Sequence, residues 1–369
     1  MSRRVVLIVL TVLLLLGLTA TTALAQAGNP IQAAAEKYFA GGTKNISAKD
    51  LYANLNDGDK SNDPYIIDIR AAADFANGHI PGAVNMTAKD LFSPEGLAKL
   101  PKNKQIVVNC YTGQTASQTV AALRMMGYDA YNLLYGIAGW GSNDKVKYTF
   151  AAAQSGNYPV TKEPAQLPEK GEAPAPLGAT VQEAAFKYFP GGFKNIKAAD
   201  VFANLNDGDK TNDPLIIDVR KPEDYALGHI AGAPNVSLAN LFKAETLAKL
   251  PKNKQIVVYC YTGQSASQAV GALRLLGYDA WNMQFGLPAW AIVEGVSTGV
   301  FDPAKNSGNY PLVVEAAAAA APAAAAPAAA APAAAAPAPA AMPKTGAPLI
   351  ALLLVGLGLT GAGLALRKR

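Results

Sequence analysis

The sequence predicts an α/β protein built from two tandem domains, each a parallel sheet flanked by helices. Three observations carry this expectation. Residues 32–140 return at 182–290 with a constant offset of 150, and Leu97–Val108 recurs unchanged at Leu247–Val258. Within each copy, short apolar runs alternate with segments of helical period. Those runs are apolar on both faces, as in strands covered on both sides by helices. So long a period marks whole domains rather than solenoid units, and about 130 residues suffice for one hydrophobic core. The domains are drawn at 30–159 and 179–313.

In the first copy Ala48–Asn56 has helical periodicity. Tyr65–Ile69, Gln105–Val108 and Ala130–Leu134 read as strands, and Gln114–Gly127 as a helix with Val120, Leu123 and Met126 on one face. Ser155-Gly-Asn-Tyr-Pro159 returns at Ser307–Pro311, with two residues inserted before it. Residues 160–178, rich in Pro, Glu, Lys and Ala, read as a linker. Residues 314–341 are mainly Ala with recurring Pro. The prolines interrupt the helix that polyalanine would form and leave an extended spacer.

The ends carry targeting patterns. Arg3 and Arg4, the apolar run Val5–Leu18 and Ala23-Leu24-Ala25 mark residues 1–25 as a signal peptide. Ser2-Arg3-Arg4 resembles a twin-arginine signal, although the leucine-rich run favours general export. Met342-Pro343-Lys344-Thr345-Gly346, the apolar run Ala347–Leu366 and Arg367-Lys368-Arg369 resemble a sortase-type sorting signal, with Met where Leu is usual. A sortase would then be a partner. The same order fits a plain transmembrane anchor, and both readings place the folded part outside the cytoplasmic membrane. Five of the 32 basic residues (Arg3, Arg4, Arg367, Lys368 and Arg369) lie in the parts that cleavage after Ala25 and Thr345 would remove, leaving 27 against 27 acidic ones. That balance argues against nucleic acid as a partner.

Cys110 and Cys260 are the only cysteines, one per domain, so no disulfide forms within a domain. A buried small hydrophobe is the plain alternative for each. Both follow a strand and precede a helix, where ligand sites of parallel sheets collect and amides converge on anions. Such a setting lowers a thiol pKa to roughly 3.5–7.5. Tyr111, Thr112, Gly113, Gln114, Thr115 and Ala116 form the expected cradle, with Tyr261, Thr262, Gly263, Gln264, Ser265 and Ala266 as its counterpart. Gly113 and Gly263 allow the tight bend.

Each repeat resembles a rhodanese-like sulfurtransferase domain over nearly its whole length. The landmarks occur in order: Asp68-Ile-Arg70 and Asp218-Val-Arg220; Asp74-Phe75 and Asp224-Tyr225; Gly78-His79-Ile-Pro-Gly-Ala83 and Gly228-His229-Ile-Ala-Gly-Ala233. The cysteine loops follow, then Gly136/Trp140 and Gly286/Trp290. The resemblance implies that Cys110 and Cys260 accept a sulfane sulfur from a donor such as thiosulfate. They would hold it as a persulfide and pass it to a thiophilic acceptor. It implies small sulfur-containing substrates and neither cofactor nor metal. It also implies framework roles for Asp68, Arg70, Asp218 and Arg220 as buried ion pairs, and for His79 and His229 in a turn. Thr115 and Ser265 stand where many single-domain members have Arg, and tandem members usually keep only the C-terminal cysteine. Neither loop has the terminal Arg of the related phosphatases. A non-catalytic surface adaptor and a sulfide or polysulfide carrier remain as other readings. Asp57–Asp63 and Asp207–Asp213 resemble the first half of a calcium loop, but Asn62 and Asn212 occupy its glycine position, and an Asx turn is expected.

Overall fold

The computed structural model describes residues 29–146, 154–296 and 301–315. The segments read as signal peptide (1–25), as spacer from residue 316 on and as sorting signal (342–369) lie outside them. Among the described residues no helix is long and apolar enough to cross a membrane.

The first domain runs α1 (Pro30–Ala40), β1 (Asn45–Ile46), α2 (Ala48–Leu55), β2 (Tyr65–Asp68), α3 (Ala72–Ala76) and β3 (Val84–Asn85). It continues with α4 (Ala88–Leu91), α5 (Pro94–Ala98), β4 (Ile106–Asn109), α6 (Gln114–Met125), β5 (Ala130–Leu133) and α7 (Gly136–Trp140). Its strands pair in parallel in the order β1-β5-β4-β2-β3. The second domain runs α8 (Val181–Tyr188), β6 (Asn195–Ile196), α9 (Ala198–Leu205), β7 (Leu215–Asp218), α10 (Pro222–Leu227), α11 (Leu238–Leu241) and α12 (Ala244–Leu247). Then come β8 (Ile256–Tyr259), α13 (Gln264–Leu275), β9 (Ala280–Met283), α14 (Leu287–Trp290) and α15 (Pro303–Asn306). The parallel order is β6-β9-β8-β7, and one bridge between Asp218 and Asn235 replaces the edge strand β3. The expected fold class, two α/β domains with parallel sheets, is the observed one.

Local chemistry sets the ends of these elements. Asn29 caps α1, with Pro30 at its first position, while Ser47, Thr87 and Ser93 cap α2, α4 and α5. The central strands β4 and β8 are buried throughout. The helix after Cys110 is buried well beyond the face that carries Val120, Leu123 and Met126. Residues Ala116–Leu123 of α6 are all buried, because its own sheet lies on one side and α13 on the other. Small residues permit that approach. A Cβ on Gly271 of α13 would lie 2.8 Å from the Gln118 carbonyl oxygen.

This helix pair joins the two domains into one hydrophobic core. Phe39 of α1 stacks on Phe242 of the second domain, and Phe189 of the second domain on Phe92 of the first, each pair at 4.2 Å between centroids. The opposite sheet faces bury separate cores, one around Trp140 and one around Trp290.

The repeated Ser-Gly-Asn-Tyr-Pro segments are exchanged. In the segment that follows the first domain, Gly156 N–H donates to Ala289 O (3.0 Å), Tyr158 N–H to Trp290 O (2.9 Å), and Trp290 Nε1 to Pro159 O (2.9 Å). In the segment that follows the second domain, Gly308 N–H donates to Gly139 O (2.9 Å), Tyr310 N–H to Trp140 O (3.0 Å), and Trp140 Nε1 to Pro311 O (3.0 Å). Thr161 then pairs with His229, and Val313 with His79. Residues 160–178, read from composition as a linker, lie along the second domain. Gly171 N–H donates to Ala248 O, Glu172 N–H to Leu250 O and Leu177 N–H to Leu275 O.

Candidate functional site

β4 delivers Cys110 to the carboxyl edge of the sheet, and α6 begins four residues later. The chain turns between them through Gly113, at φ 80°, a left-handed conformation that glycine adopts without steric cost. No side chain caps α6. Its first amides instead face sulfur: Cys110 Sγ accepts from Gly113 N–H at 3.1 Å and Ala116 N–H at 3.3 Å. The second site repeats this. Gly263 has φ 77°, and Cys260 Sγ accepts from Ala266 N–H at 3.4 Å. The amides of Thr262, Gly263 and Ser265 also favour a charged sulfur there. Fixed N–H groups at a helix start are a receptor for negative charge.

Both cysteines are nearly enclosed, at 1% and 2% exposure. Tyr111, Thr112 and Thr115, and Tyr261, Thr262 and Ser265, are the half-buried rim. Enclosure modifies one expectation. Burial pushes the Cys260 thiol above its ordinary value of 9.0, outweighing the four amides, rather than below it.

Each loop is held from behind by the turn that opens α7 or α14. Ile137 N–H donates to Cys110 O and Leu287 N–H to Cys260 O, both at 2.8 Å. A Cβ on Gly136 would lie 2.4 Å from Cys110 O, and one on Gly286 2.3 Å from Cys260 O. The preceding Tyr135 and Phe285 both have φ 62°. Side chains hold the rim. Tyr111 Oη donates to Asp74 Oδ2 at 2.5 Å, and Tyr261 Oη to Asp224. Burial and that carboxylate push the Tyr261 hydroxyl up to about 12.

Asp68 and Arg70 form a buried pair, with Nε–Oδ1 at 3.0 Å and Nη2–Oδ2 at 2.7 Å. Arg70 also donates to the carbonyls of Asp74 and Gly78, and its guanidinium carbon lies 5.9 Å from the Tyr111 ring centre. Asp218 and Arg220 repeat the pair, with Nη2–Oδ2 at 2.7 Å and further bonds to Asp224 O and Gly228 O. The two sites differ beside the cysteine. Asn109 donates to Asp68 Oδ2 at 2.9 Å, whereas Tyr259 hydrogen-bonds Asp218 and accepts from Ile230 N–H at 3.2 Å. His79 and His229 stack on Phe75 and Tyr225, with Nδ1 on the carbonyls of those residues. His229 Nε2 binds Glu163 O at 2.9 Å.

Two residues expected to line the substrate turn elsewhere. Gln114 and Gln264 are buried, and each side chain crosses into the other domain. Gln264 Oε1 accepts from Asn132 Nδ2 (2.9 Å) and Tyr135 N–H (3.1 Å). Gln114 Oε1 accepts from Asn282 Nδ2 (3.0 Å) and Phe285 N–H (3.1 Å). Their position in the helix–helix interface, beside glycines with no side chain, leaves this as the space to fill. Ser265 Oγ likewise lies 3.4 Å from Thr43 Oγ1 of the first domain. The sequence reading also missed Asn132, Asn282, Gln118 and Gln268. Gln118 Oε1 accepts from Tyr188 Oη at 2.6 Å, and Tyr38 Oη donates to Gln268 Oε1. A repeated Gln inside an apolar helical stretch was the available signal.

Asp57–Asp63 forms Asx turns, with Asp59 N–H on Asp57 Oδ1 (2.7 Å) and Ser61 N–H on Asp59 Oδ1 (2.9 Å). The Asn62 amide on Asp57 and the Ser61 hydroxyl on Asp59, together with these backbone bonds, hold both carboxyls below their usual range. Among the described residues no group of three or more His, Cys, Asp or Glu is placed to hold a metal ion.

Each parallel α/β domain thus sets one buried cysteine sulfur on the opening amides of the helix that follows it. The rhodanese-like domain profile matches residues 47–143 and 197–292, together just over half of the chain. The chain belongs to the rhodanese-like family, with two copies of the domain. It is 39% identical over 77 residues to the probable adenylyltransferase/sulfurtransferase MoeZ of Mycobacterium tuberculosis, a match spanning 21% of this chain and only 20% of that protein. It is 34% identical over 99 residues to the thiosulfate sulfurtransferase GlpE of Pseudoalteromonas translucida, covering 27% of this chain and 89% of the relative. Among solved structures, a rhodanese-like domain protein from Staphylococcus aureus matches at 26% identity and TM-score 0.25, covering 28% of this chain and 95% of its own. Thiosulfate sulfurtransferase from Pseudomonas aeruginosa matches at 18% identity and TM-score 0.28, covering 78% of this chain and 49% of its own.

Proposed function

We propose that the chain is a sulfurtransferase that moves a sulfane sulfur from a donor such as thiosulfate to a thiophilic acceptor, using Cys110 and Cys260 as carriers. The observation that carries this reading is the Sγ of each cysteine on the opening amides of its helix. A cysteine thiolate attacks the sulfane sulfur of thiosulfate. The Sγ–S bond forms, the S–S bond to the sulfonate breaks, and sulfite leaves with that electron pair. The cradle holds the terminal charge of the persulfide. Attack by cyanide on the outer sulfur yields thiocyanate and restores the thiolate, so no outside oxidant or reductant is consumed. The loops contain no cationic side chain, so backbone amides are the local counterpart of the donor's charge.

The test is thiocyanate production from thiosulfate and cyanide, with persulfide mapping by mass spectrometry. Turnover lost in the Cys110→Ser, Cys260→Ser double variant supports the reading. Absence of thiocyanate together with absence of a one-sulfur mass increase on either cysteine overturns it. Enclosure and the raised thiol of Cys260 favour a second reading, a non-catalytic binding module, under which the double variant retains its cellular role. Donors other than thiosulfate in the same mapping distinguish a sulfide or polysulfide carrier. Export and envelope attachment through residues 1–25 and 342–369 belong to the same proposal, and N-terminal sequencing with cell fractionation tests them.

A further inference from the structure

The two cysteine loops are mechanically crossed. A Cβ placed on Gly113 would lie 2.3 Å from Gln264 Oε1, and one on Gly263 2.7 Å from Gln114 Oε1. Each glutamine therefore occupies the space over the other loop's glycine. The main chain of Gln264 lies within the run of amides, Thr262 to Ala266, that faces Cys260 Sγ. Its side-chain tip binds Tyr135 N–H of the other domain. Tyr135 is a non-glycine residue in left-handed conformation, a state that persists only where its surroundings hold it. The next two residues are Gly136, packed on the Cys110 carbonyl, and Ile137, which donates to it. The mirror route runs from the Cys110 loop through Gln114 to Phe285 N–H, Gly286 and Leu287 N–H on Cys260 O. Both routes consist of direct contacts, buried at the glutamines and glycines and half-buried at Tyr135 and Phe285.

We propose that Gln264 is a positioning residue for the Cys110 site and Gln114 one for the Cys260 site, so that the occupancy of one cradle sets the reactivity of the other. Sulfur added to Cys260 Sγ has little free volume in the enclosed cradle. The amides that accommodate it carry the Gln264 backbone with them, and the shift arrives at the Cys110 carbonyl through the turn at 135–137. For the equilibrium loading of sulfur such coupling is reciprocal, because occupancy of either site changes the loading free energy of the other equally. The proposal rests on Cys110 and Cys260 being sulfur carriers.

Its test uses reagents that modify any thiol, and so stands apart from the sulfurtransferase assay. Iodoacetamide modification of the full chain is followed by mass spectrometry, with Cys110 and Cys260 read in separate peptides. Gln264→Met is expected to change the Cys110 rate by at least about fivefold and to change the Cys260 rate less, while Gln114→Met gives the mirrored pattern. A larger effect on the cysteine of the same loop, or equal effects on both, overturns the proposal. A purely structural role lowers stability without producing the crossed pattern. A second measurement avoids substitution of the glutamines. In a Cys110→Ser chain, Cys260 is converted to its methyl disulfide with methyl methanethiosulfonate, and hydrogen exchange is read at residues 134–137. A change of about threefold or more in their exchange supports the coupling, and unchanged exchange overturns it. Failure of sulfur transfer, with no thiocyanate and no persulfide, leaves these readouts intact and is recognised separately.

Discussion

Trp140 donates its indole N–H to the carbonyl of Pro311, 171 residues further along the chain, at 3.0 Å. Tyr310, next to that proline, stacks on Tyr52 at 4.0 Å between ring centres. The C-terminal strap thus closes the first domain, not the second. Tyr310→Ala is expected to cost about 1–3 kcal/mol, the scale of a half-buried aromatic removed from its stack. Hydrogen exchange should rise around 76–82 and 139–141 and stay unchanged around 289–291. A rise confined to the second domain contradicts the exchange.

Arg70 is enclosed with Asp68, and both side chains are fully buried. Arg70→Met leaves the carboxylate without its main partner, and about 3–5 kcal/mol of stability should be lost. Urea unfolding followed by Trp fluorescence checks this. A loss below about 1 kcal/mol would indicate that water reaches the pair.

Gly113 and Gly42 both have positive φ, but only Gly113 faces another domain. Alanine at either position takes on about 1–2 kcal/mol of left-handed strain. Gly42→Ala meets nothing within 4 Å, whereas Gly113→Ala meets Gln264 Oε1 at 2.3 Å and, less closely, Leu133 O of its own domain at 3.0 Å. The part of the excess loss in Gly113→Ala over Gly42→Ala that Gln264→Ala relieves, measured by thermal unfolding, therefore reports the fit between the domains, and an excess unchanged by Gln264→Ala refutes it.

Cys260 has a pH signature. Its thiol is raised above 9.0 in the fold, so the neutral form is favoured at physiological pH. Iodoacetamide reacts with the thiolate, and the rate at Cys260 should climb about tenfold per pH unit from pH 7 to 9 without levelling. The stability linked to this group is fully present below the ordinary thiol value and is lost as pH rises through the folded value. A plateau in the rate below pH 8 would show a depressed thiol instead.

The sequence displayed the local half of this architecture. Apolar strands ending at Cys110 and Cys260, a glycine before each following helix, and the Asp-x-Arg pairs are all short-range patterns. The cross-domain half has no such imprint. Ser155–Pro159 and Ser307–Pro311 are the same five residues, so either strap fits either domain and composition cannot assign them. Gln114 and Gln264 lie inside the cysteine loops, where polarity suggests a substrate. Only the packing of α6 on α13 shows that a neighbouring domain takes up those side chains. The linker reading of 160–178 rests on Pro and charge, which describe an irregular segment laid along a surface as well as a free spacer.

The exchanged straps have a consequence for divisibility. A chain cut between residues 146 and 154 would yield one piece holding the first domain and another holding everything that closes it. The second piece keeps its own strap, residues 155–159 on Trp290, whereas the first is parted from residues 307–313, which close it. Co-expressed as two polypeptides, they are expected to associate through the shared core and this strap, with packing rather than peptide continuity keeping the two cysteine loops in register.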